Sequence, residues 1–371
     1  MTKVLFVISN LTPQGPINQL YYLCKYLDKD KIIPFIVTTS QTSYTNSLHS
    51  KFKDLGIRVF DLELSKLQSL LFAHKEIQQI IDENNISIIQ SFGFRSDIIS
   101  SKLKNVYKIT TVRNTLLFNW KMVWGTLLGS IFGNINLYFI KKFDSVIACS
   151  VSVHNYLKTI NLNSVVIINS IDKENISVKP DSKTINEKRK FLNLPVDEAI
   201  NITISSKLKG KNIEFLINAF QERELSKKYL VIAGFVEPEL LQKYQKLQNT
   251  IFIGKVNNLK DYLHVADYFI SASLHEGMPN AVLEAMAVGT PVLLSDIPSH
   301  IEIFNTTNCE IGKIFKNNDC DDFYKSYEKL INTDYNKLSL NCIETIKNHF
   351  NAKEMAFQYE KFYLSKTIRS A

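Results

Sequence analysis

No two cysteines in this 371-residue chain stand at C-x-x-C spacing; Cys24, Cys149, Cys309, Cys320 and Cys342 are odd in number and widely scattered. That excludes a disulfide framework and a zinc ribbon, and a reducing cytoplasm is the expected setting. Phosphate loops of the G-x-G-x-x-G and Walker types are missing as well, since the nearest approach, LKGKN at 208–212, lacks the Ser or Thr that must follow the lysine. No His/Cys cluster supports a metal hydrolase. There is no low-complexity tract and no short-period repeat. The N-terminus, MTKVLFVISN, runs from one lysine through a short apolar stretch into a Pro/Gly loop without a small-residue cleavage pattern, so a first strand is expected there and not a secretory leader.

What is present is ordinary for a globular protein: 45% hydrophobic and 22% charged residues, in a chain long enough for two domains. The net charge of +8 is uneven. Residues 1–172 carry 18 Lys/Arg against 11 Asp/Glu, and the remainder carries 26 against 25. A basic first half suits an anionic partner such as a phosphate-bearing substrate or an anionic membrane surface. A nucleic acid is not expected, because no nucleic-acid-binding motif accompanies the charge.

Short β-branched runs alternate with helical patterns: VLFVIS, FIVTTS, IRVFDL, ISIIQS, YKITTVRN and SVIACS in the first half, then AINITISS, KYLVIAG, TIFIGKV, DYFISAS and TPVLLSD in the second. Strands separated by helices predict parallel sheets covered on both faces, an α/β fold of two doubly wound halves. The polar stretch 173–197 separates them. Ligands of such sheets bind outside the carboxyl ends of the strands, so a cleft between the halves is the expected substrate site. One segment interrupts the pattern. Between Lys121 and Lys141 lie 19 uncharged residues, near the ~20 that cross a bilayer. Gly125, Gly129, Gly133, Asn134 and Asn136 and the flanking strands argue against a span. A helix pair is expected, either buried or presenting Phe118, Trp120, Lys121, Trp124, Lys141 and Lys142 to a membrane interface or a lipid-linked substrate.

The stretch HEGMPNAVLEAMAVGTP at 275–291 reads as a loop, a proline at the first helical turn, a helix, and Gly289 as terminator. Small residues at Gly277 and Ala281 admit a ligand to the backbone, and amides of a first helical turn bind anions. Glu284, one turn inside, is placed to accept hydrogen bonds from a diol such as ribose. Glu276, on the loop, faces what lies beyond the phosphate. The spacing suits one extended ligand: ribose, phosphates, a third moiety.

This stretch resembles the family 4 glycosyltransferases, whose E-x7-E signature reads here as EGMPNAVLE. Further landmarks keep the family order: IIQSFGFRSD at 88–97, TTVRN at 110–114, SVIACSVSV at 145–153, IINSID at 167–172, KNIEFLINAF at 211–220, VIAG at 231–234 and FIGKVNNLKDYLHVADYFISAS at 252–273. The upstream motifs look like the bacterial branch that assembles capsule, O-antigen and exopolysaccharide. The resemblance implies a GT-B fold: an acceptor-binding Rossmann-like domain at 1–172, a nucleotide-sugar-binding one at 173–350, and a C-terminal helix at 351–371 packing back on the first. It implies a retaining, metal-independent transfer of a hexose or N-acetylhexosamine, UDP-linked by expectation, to a glycan or lipid-linked oligosaccharide. No cofactor is implied, and the place of action is the inner face of the cytoplasmic membrane.

By position in the motifs, Glu276 and Lys211 become the catalytic candidates, the lysine neutralising the departing diphosphate. Donor contacts fall on Gly15, Ser206, Lys207, Gly254, Lys255, Gly277, Met278, Pro279, Asn280, Ala281 and Glu284. Acceptor contacts fall on Phe92, Arg95, Arg113, Trp120 and Trp124. Four departures from the pattern bear on the site. Ser206 stands where the family usually has an arginine, Pro16 follows the single glycine of the first loop, and Gln90 and Phe92 replace histidines. Phe92 can neither donate a hydrogen bond nor shuttle a proton, which keeps a non-catalytic nucleotide-sugar-binding or scaffolding protein as the alternative.

Overall fold

The computed structural model describes residues 1–41, 47–206, 209–221, 225 and 228–367, the Lys209 side chain excepted. The chain divides into two compact units, Met1–Ser170 with Ala352–Ala371, and Ile171–Asn351. Each is an α/β unit built on one parallel sheet, the class the alternating runs predict.

The first sheet is formed by β1 (Thr2–Ile8), β2 (Ile32–Thr38), β3 (Arg58–Asp61), β4 (Ile88–Ser91), β5 (Tyr107–Val112), β6 (Ser145–Ala148) and the short β7 (Val165–Val166), in the order β3-β2-β1-β4-β5-β6-β7. Alternation along β1 divides its side chains between two layers. Val4, Phe6 and Ile8 enter a core completed by Ile17, Leu20 and Leu23 of the helix Gly15–Tyr26 and by Met355, Tyr359 and Tyr363 of the helix Ala352–Thr367. Leu5 and Val7 face the opposite layer, against Ala73, Ile77 and Ile81 of the helix Lys66–Asn84. That helix starts on a capping box in which the Ser65 hydroxyl and the Gln68 side chain each satisfy the other's backbone amide. The C-terminal helix is tied in by polar contacts too. Tyr363 donates to Gln90 Oε1, Gln90 Nε2 donates to Thr111 Oγ1 (2.7 Å), and Lys31 pairs with the nearly buried Glu360 (3.0 Å).

The second sheet runs β10-β9-β8-β11-β12-β13, from β8 (Ile200–Ser205), β9 (Tyr229–Gly234), β10 (Thr250–Gly254), β11 (Tyr268–Ser271), β12 (Val292–Ser295) and β13 (Gly312–Phe315). Its core joins Leu230 and Ile232 to Leu216, Phe220, Phe323 and Tyr327 on the helices Ile213–Gln221 and Cys320–Ile331. Asp319 caps the latter helix, accepting from the Asp322 amide at 3.0 Å. Residues 173–197 belong to this unit. Buried Arg189 donates to Val265 O (2.7 Å) and Asp267 (2.8 Å), and Lys179 donates to Leu263 O, His264 O and Ala266 O. Two cations thus close the carbonyl end of the helix Leu259–Val265, where the macrodipole favours them.

In both sheets the chain reverses direction of travel at the first strand: between β1 and β4, and between β8 and β11. Loops leaving adjacent strands at such a point splay apart and leave room for a ligand at the carboxyl edge.

Candidate functional site

The loop after β8 carries Lys211 and the loop after β11 carries Glu276. Their backbones are joined where Leu274 N donates to Gly210 O at 2.8 Å. From opposite sides of the switch point, Lys211 Nζ reaches Glu276 Oε1 at 2.6 Å, both side chains less than one fifth exposed. Ser273 Oγ donates to the same carboxylate oxygen at 2.8 Å. Burial alone would raise the Glu276 pKa, but the Lys211 charge, His300 and the hydrogen bonds from Lys211 and Ser273 outweigh it and hold it below the usual value.

Glu284 lies in the helix Asn280–Ala287, and among the described residues no side chain hydrogen-bonds it. Burial pushes its carboxyl up to about 7, with only the Lys211 charge opposing. The two glutamates, eight positions apart, therefore share one lysine and titrate in opposite directions. Glu276 is kept ionised by its partners, whereas Glu284 is held near neutrality until something donates to it.

The expected donor residues are arranged around this pair unevenly. Ser206 and Lys211 line a cavity of about 290 Å³ at the ends of β8 and β9, together with Ser205, Phe235 and Glu237. Gly277, Met278 and Pro279 are buried on the β11 loop, and Asn280 and Ala281 open the helix. Pro279 proves to be the residue before the helix, not part of its first turn, and the Asn280 amide is spent on Met278 O at 3.0 Å. Gly254 and Lys255 are exposed at the end of β10, two strands from β8. Gly254 has φ 64°, a left-handed turn that glycine adopts without strain. Lys207 lies outside the described residues.

His300, which the sequence reading passed over, completes the group. It stands fully buried on the helix Pro298–Thr306, its Nδ1 2.9 Å from Ser295 O. That contact makes Nδ1 the protonated nitrogen and leaves Nε2, which has no hydrogen-bond partner among the described residues, as an acceptor. Burial brings its pKa down to about 4 although Glu276 pulls the other way. Nothing in the spacing of SDIPSHIEI marks this histidine; β12 carries it in.

In the first unit, Arg113 follows β5 and Phe92 follows β4, adjacent strands, and the guanidinium carbon lies 4.8 Å from the Phe92 ring centroid. Phe92 itself is only 8% exposed and packs edge-on against Phe6 at 6.0 Å. It is a core residue supporting Arg113 and presents little surface of its own to an acceptor. Arg113 donates to Asn169 Oδ1 at 3.3 Å, while its buried Nε has no partner among the described residues. Arg95 is turned to Ser40 Oγ at 2.6 Å. Trp120 packs between Phe94 (4.9 Å) and Phe132 (5.6 Å), Trp124 is exposed, and Gly15 opens the helix after β1.

Comparison with known proteins follows this geometry. Residues 184–349, most of the second unit, match the family model described as glycosyl transferases group 1. The O-antigen biosynthesis glycosyltransferase WclY of Escherichia coli is 27% identical over 235 residues, an alignment covering 59% of this chain and 63% of that protein's length. The capsular polysaccharide biosynthesis glycosyltransferase CapH of Staphylococcus aureus is 25% identical over 99% of this chain and 100% of its own. Among solved structures, Anabaena HepE in complex with UDP-glucose superposes with a TM-score of 0.78 at 16% identity, covering 100% of both chains. Its fold, two parallel sheets with interleaved helices, is the GT-B architecture the motifs imply.

Proposed function

We propose that this chain, with a glycosyl transferases group 1 domain at residues 184–349 and a GT-B fold, moves a hexose or N-acetylhexosamine from a nucleotide sugar to a glycan acceptor in bacterial surface polysaccharide synthesis. The observation that carries this reading is the Lys211–Glu276 pair beside Glu284 at the switch point of the second sheet. Names of the relatives, O-antigen and capsule enzymes, support the pathway class, and the UDP-glucose complex of HepE supports a UDP-linked donor.

In this proposal Glu284 accepts hydrogen bonds from the ribose diol and Glu276 from hydroxyls of the transferred sugar. Lys211 stabilises charge growing on the diphosphate. The bond from the anomeric carbon to the phosphate oxygen breaks, the acceptor oxygen bonds to that carbon on the same face, and the acceptor proton passes to the departing phosphate. No imidazole is then needed at Phe92, and no metal is required. Arg113, with an unspent Nε, contacts the acceptor, which we take to be lipid-diphosphate-linked.

The test is turnover of UDP-, GDP- and ADP-sugars with membrane-extracted acceptors. Lys211→Ala and Glu276→Ala are each expected to lower transfer about 100-fold or more. Thermal melts accompany them, because breaking a buried ion pair costs on the order of 3 kcal/mol. Full activity in both variants would overturn these roles. A second reading, a non-catalytic nucleotide-sugar binder, is favoured by the burial of Phe92 in the core where the family carries a histidine. Tight UDP binding with no turnover of any donor would select it.

A further inference from the structure

The apolar segment that interrupts the first domain is a helical hairpin. The helix Leu116–Ile140 breaks at Gly125, where φ is 75° and ψ 176°, backbone open to glycine and strained for any other residue. Beyond the break the chain returns antiparallel. A Cβ placed on Gly129 would lie 2.4 Å from Lys121 Cα, and one on Gly133 would lie 2.8 Å from Leu117 Cδ2. Positions symmetric about Gly125 thus face each other, and the two glycines let the limbs touch.

Its base is held in the first unit by Leu116 and Ile140, which are buried, by Phe94 against Trp120, and by the Leu117 amide donating to Tyr156 Oη at 3.0 Å. Its outer surface is left uncovered by the described residues. Leu127 at the turn is 77% exposed and Trp124 52%, with Phe118, Val123, Leu128, Ile131, Ile135 and Tyr138 also exposed. Apolar surface gathered at one protrusion marks an interaction site.

Three features point to lipid as what covers it. From residue 113 to 144 the charged side chains are Arg113, Lys121, Lys141 and Lys142 against Asp144, so the collar carries an excess of positive charge. Lys142 sits 4.3 Å from the Tyr138 ring centroid, an aromatic and cationic edge of the kind that lies at headgroup depth. Two polar side chains of the returning limb bond back along their own helix: Ser130 Oγ donates to Thr126 O (2.6 Å) and Asn134 Nδ2 to Ser130 O (2.8 Å), which lessens their demand for water. By length and hydropathy the helix qualifies as a span. Folded at Gly125, however, its limbs reach only about 14 and 22 Å at 1.5 Å per residue, short of the ~30 Å hydrocarbon core.

We propose that this hairpin docks the protein on an anionic bilayer, its Val123–Leu128 tip entering one leaflet and Lys121, Lys141 and Lys142 meeting the headgroups. It springs directly from the end of β5 that bears Arg113, so docking sets that residue beside the membrane surface. The docking stands on the hairpin alone; its use in presenting a lipid-linked acceptor rests on the function proposed above.

The chain's two tryptophans, Trp120 and Trp124, both lie on the hairpin and report on it. Full-length protein is mixed with vesicles of phosphatidylcholine alone or with about one third phosphatidylglycerol. The expected result is flotation with the anionic vesicles, a blue shift of tryptophan emission, and quenching by lipids brominated in the acyl chain. Leu127→Glu with Leu128→Glu should weaken flotation about tenfold or more, while hydrolysis of a soluble nucleotide sugar stays unchanged. The proposal is overturned if the parent protein neither floats nor is quenched, or if the double variant floats as well. It is also overturned if sedimentation shows a dimer that the double variant dissolves, since a second copy would then cover the hairpin. Quenching of the parent protein decides the matter even if the variant misfolds. Loss of all turnover with flotation intact would strike the catalytic reading and leave the docking.

Discussion

Glu284 shows what one residue's surroundings do to its chemistry. Its carboxyl is raised to about 7 from an ordinary 4.5, mainly by burial. A raised acid binds its proton more tightly in the folded than in the unfolded chain. Its ionisation therefore costs stability progressively as pH rises from the ordinary value towards 7. Replacing it by Gln removes that cost. Glu284→Gln should match the parent near pH 4.5 and gain on the order of 1–3 kcal/mol by pH 8, read as melting temperature against pH. Nucleotide binding should show the complement. If a diol donates to the carboxylate, binding releases a proton, so parental affinity for UDP strengthens as pH rises through about 7 and that of Glu284→Gln stays flat. Pairs of measurements in buffers of different ionisation enthalpy would detect the proton; its absence would remove Glu284 from the ribose. The glutamate was legible as a candidate site residue from its spacing to Glu276 within a recognisable motif. The pKa contrast between them was not, because it depends on Lys211, which lies 65 positions from Glu276 and meets it only through the β8 and β11 loops.

Among the elements, the hairpin separates what pattern can say from what it cannot. Nineteen uncharged residues and a scatter of glycines announced an unusual segment, and helical pairing was a sound expectation. Which face it buries was not legible: Leu127 and Leu128 would read as core in any amphipathic scheme, yet they are exposed at the turn. The decisive contacts, Gly129 on the Lys121 backbone and Gly133 on Leu117, depend on the reversal at Gly125. Gly129→Leu should therefore force the limbs apart at a cost of about 1–3 kcal/mol, lowering the melting temperature by several degrees. Thr126→Leu, at the exposed turn, should move it by no more than about 0.5 kcal/mol. Equal melting of the two variants would mean that the limbs are not packed through the glycines. The same distinction applies to Gln90 and Phe92. Their departure from histidine was visible in the sequence, but their occupation was not. Gln90 is tied to Tyr363 and Thr111, and Phe92 is pressed between Phe6 and Arg113.

At the scale of the whole molecule, the alternation of strands and helices announced two α/β halves, because periodicity is a local signal that each segment carries by itself. Chain path is not local. The first unit is built from Met1–Ser170 and completed by Ala352–Ala371, so its core draws on both ends of the described chain with the entire second unit inserted between them. Gln90 and its partner Tyr363 are 273 positions apart. The returning helix is no ornament on this core: Met355, Tyr359 and Tyr363 are all nearly or fully buried. Burying each contributes about 1.5–3 kcal/mol, a sum comparable to the 5–15 kcal/mol that holds a typical domain folded. The ion pair of Lys31 with Glu360 and the Gln90 contacts add to it. Ending the chain after Asn351 should therefore unfold or aggregate the first unit, while the Lys211, Glu276 and Glu284 group, contained within Ile171–Asn351, keeps its own sheet and core. Hydrogen exchange on the truncated protein should show β1, β4 and β5 unprotected and β8, β9 and β11 protected, with UDP still bound. Protection of β1 at parental levels would show that the returning helix is dispensable to that core, and loss of protection in both sheets would show that the second unit does not stand alone.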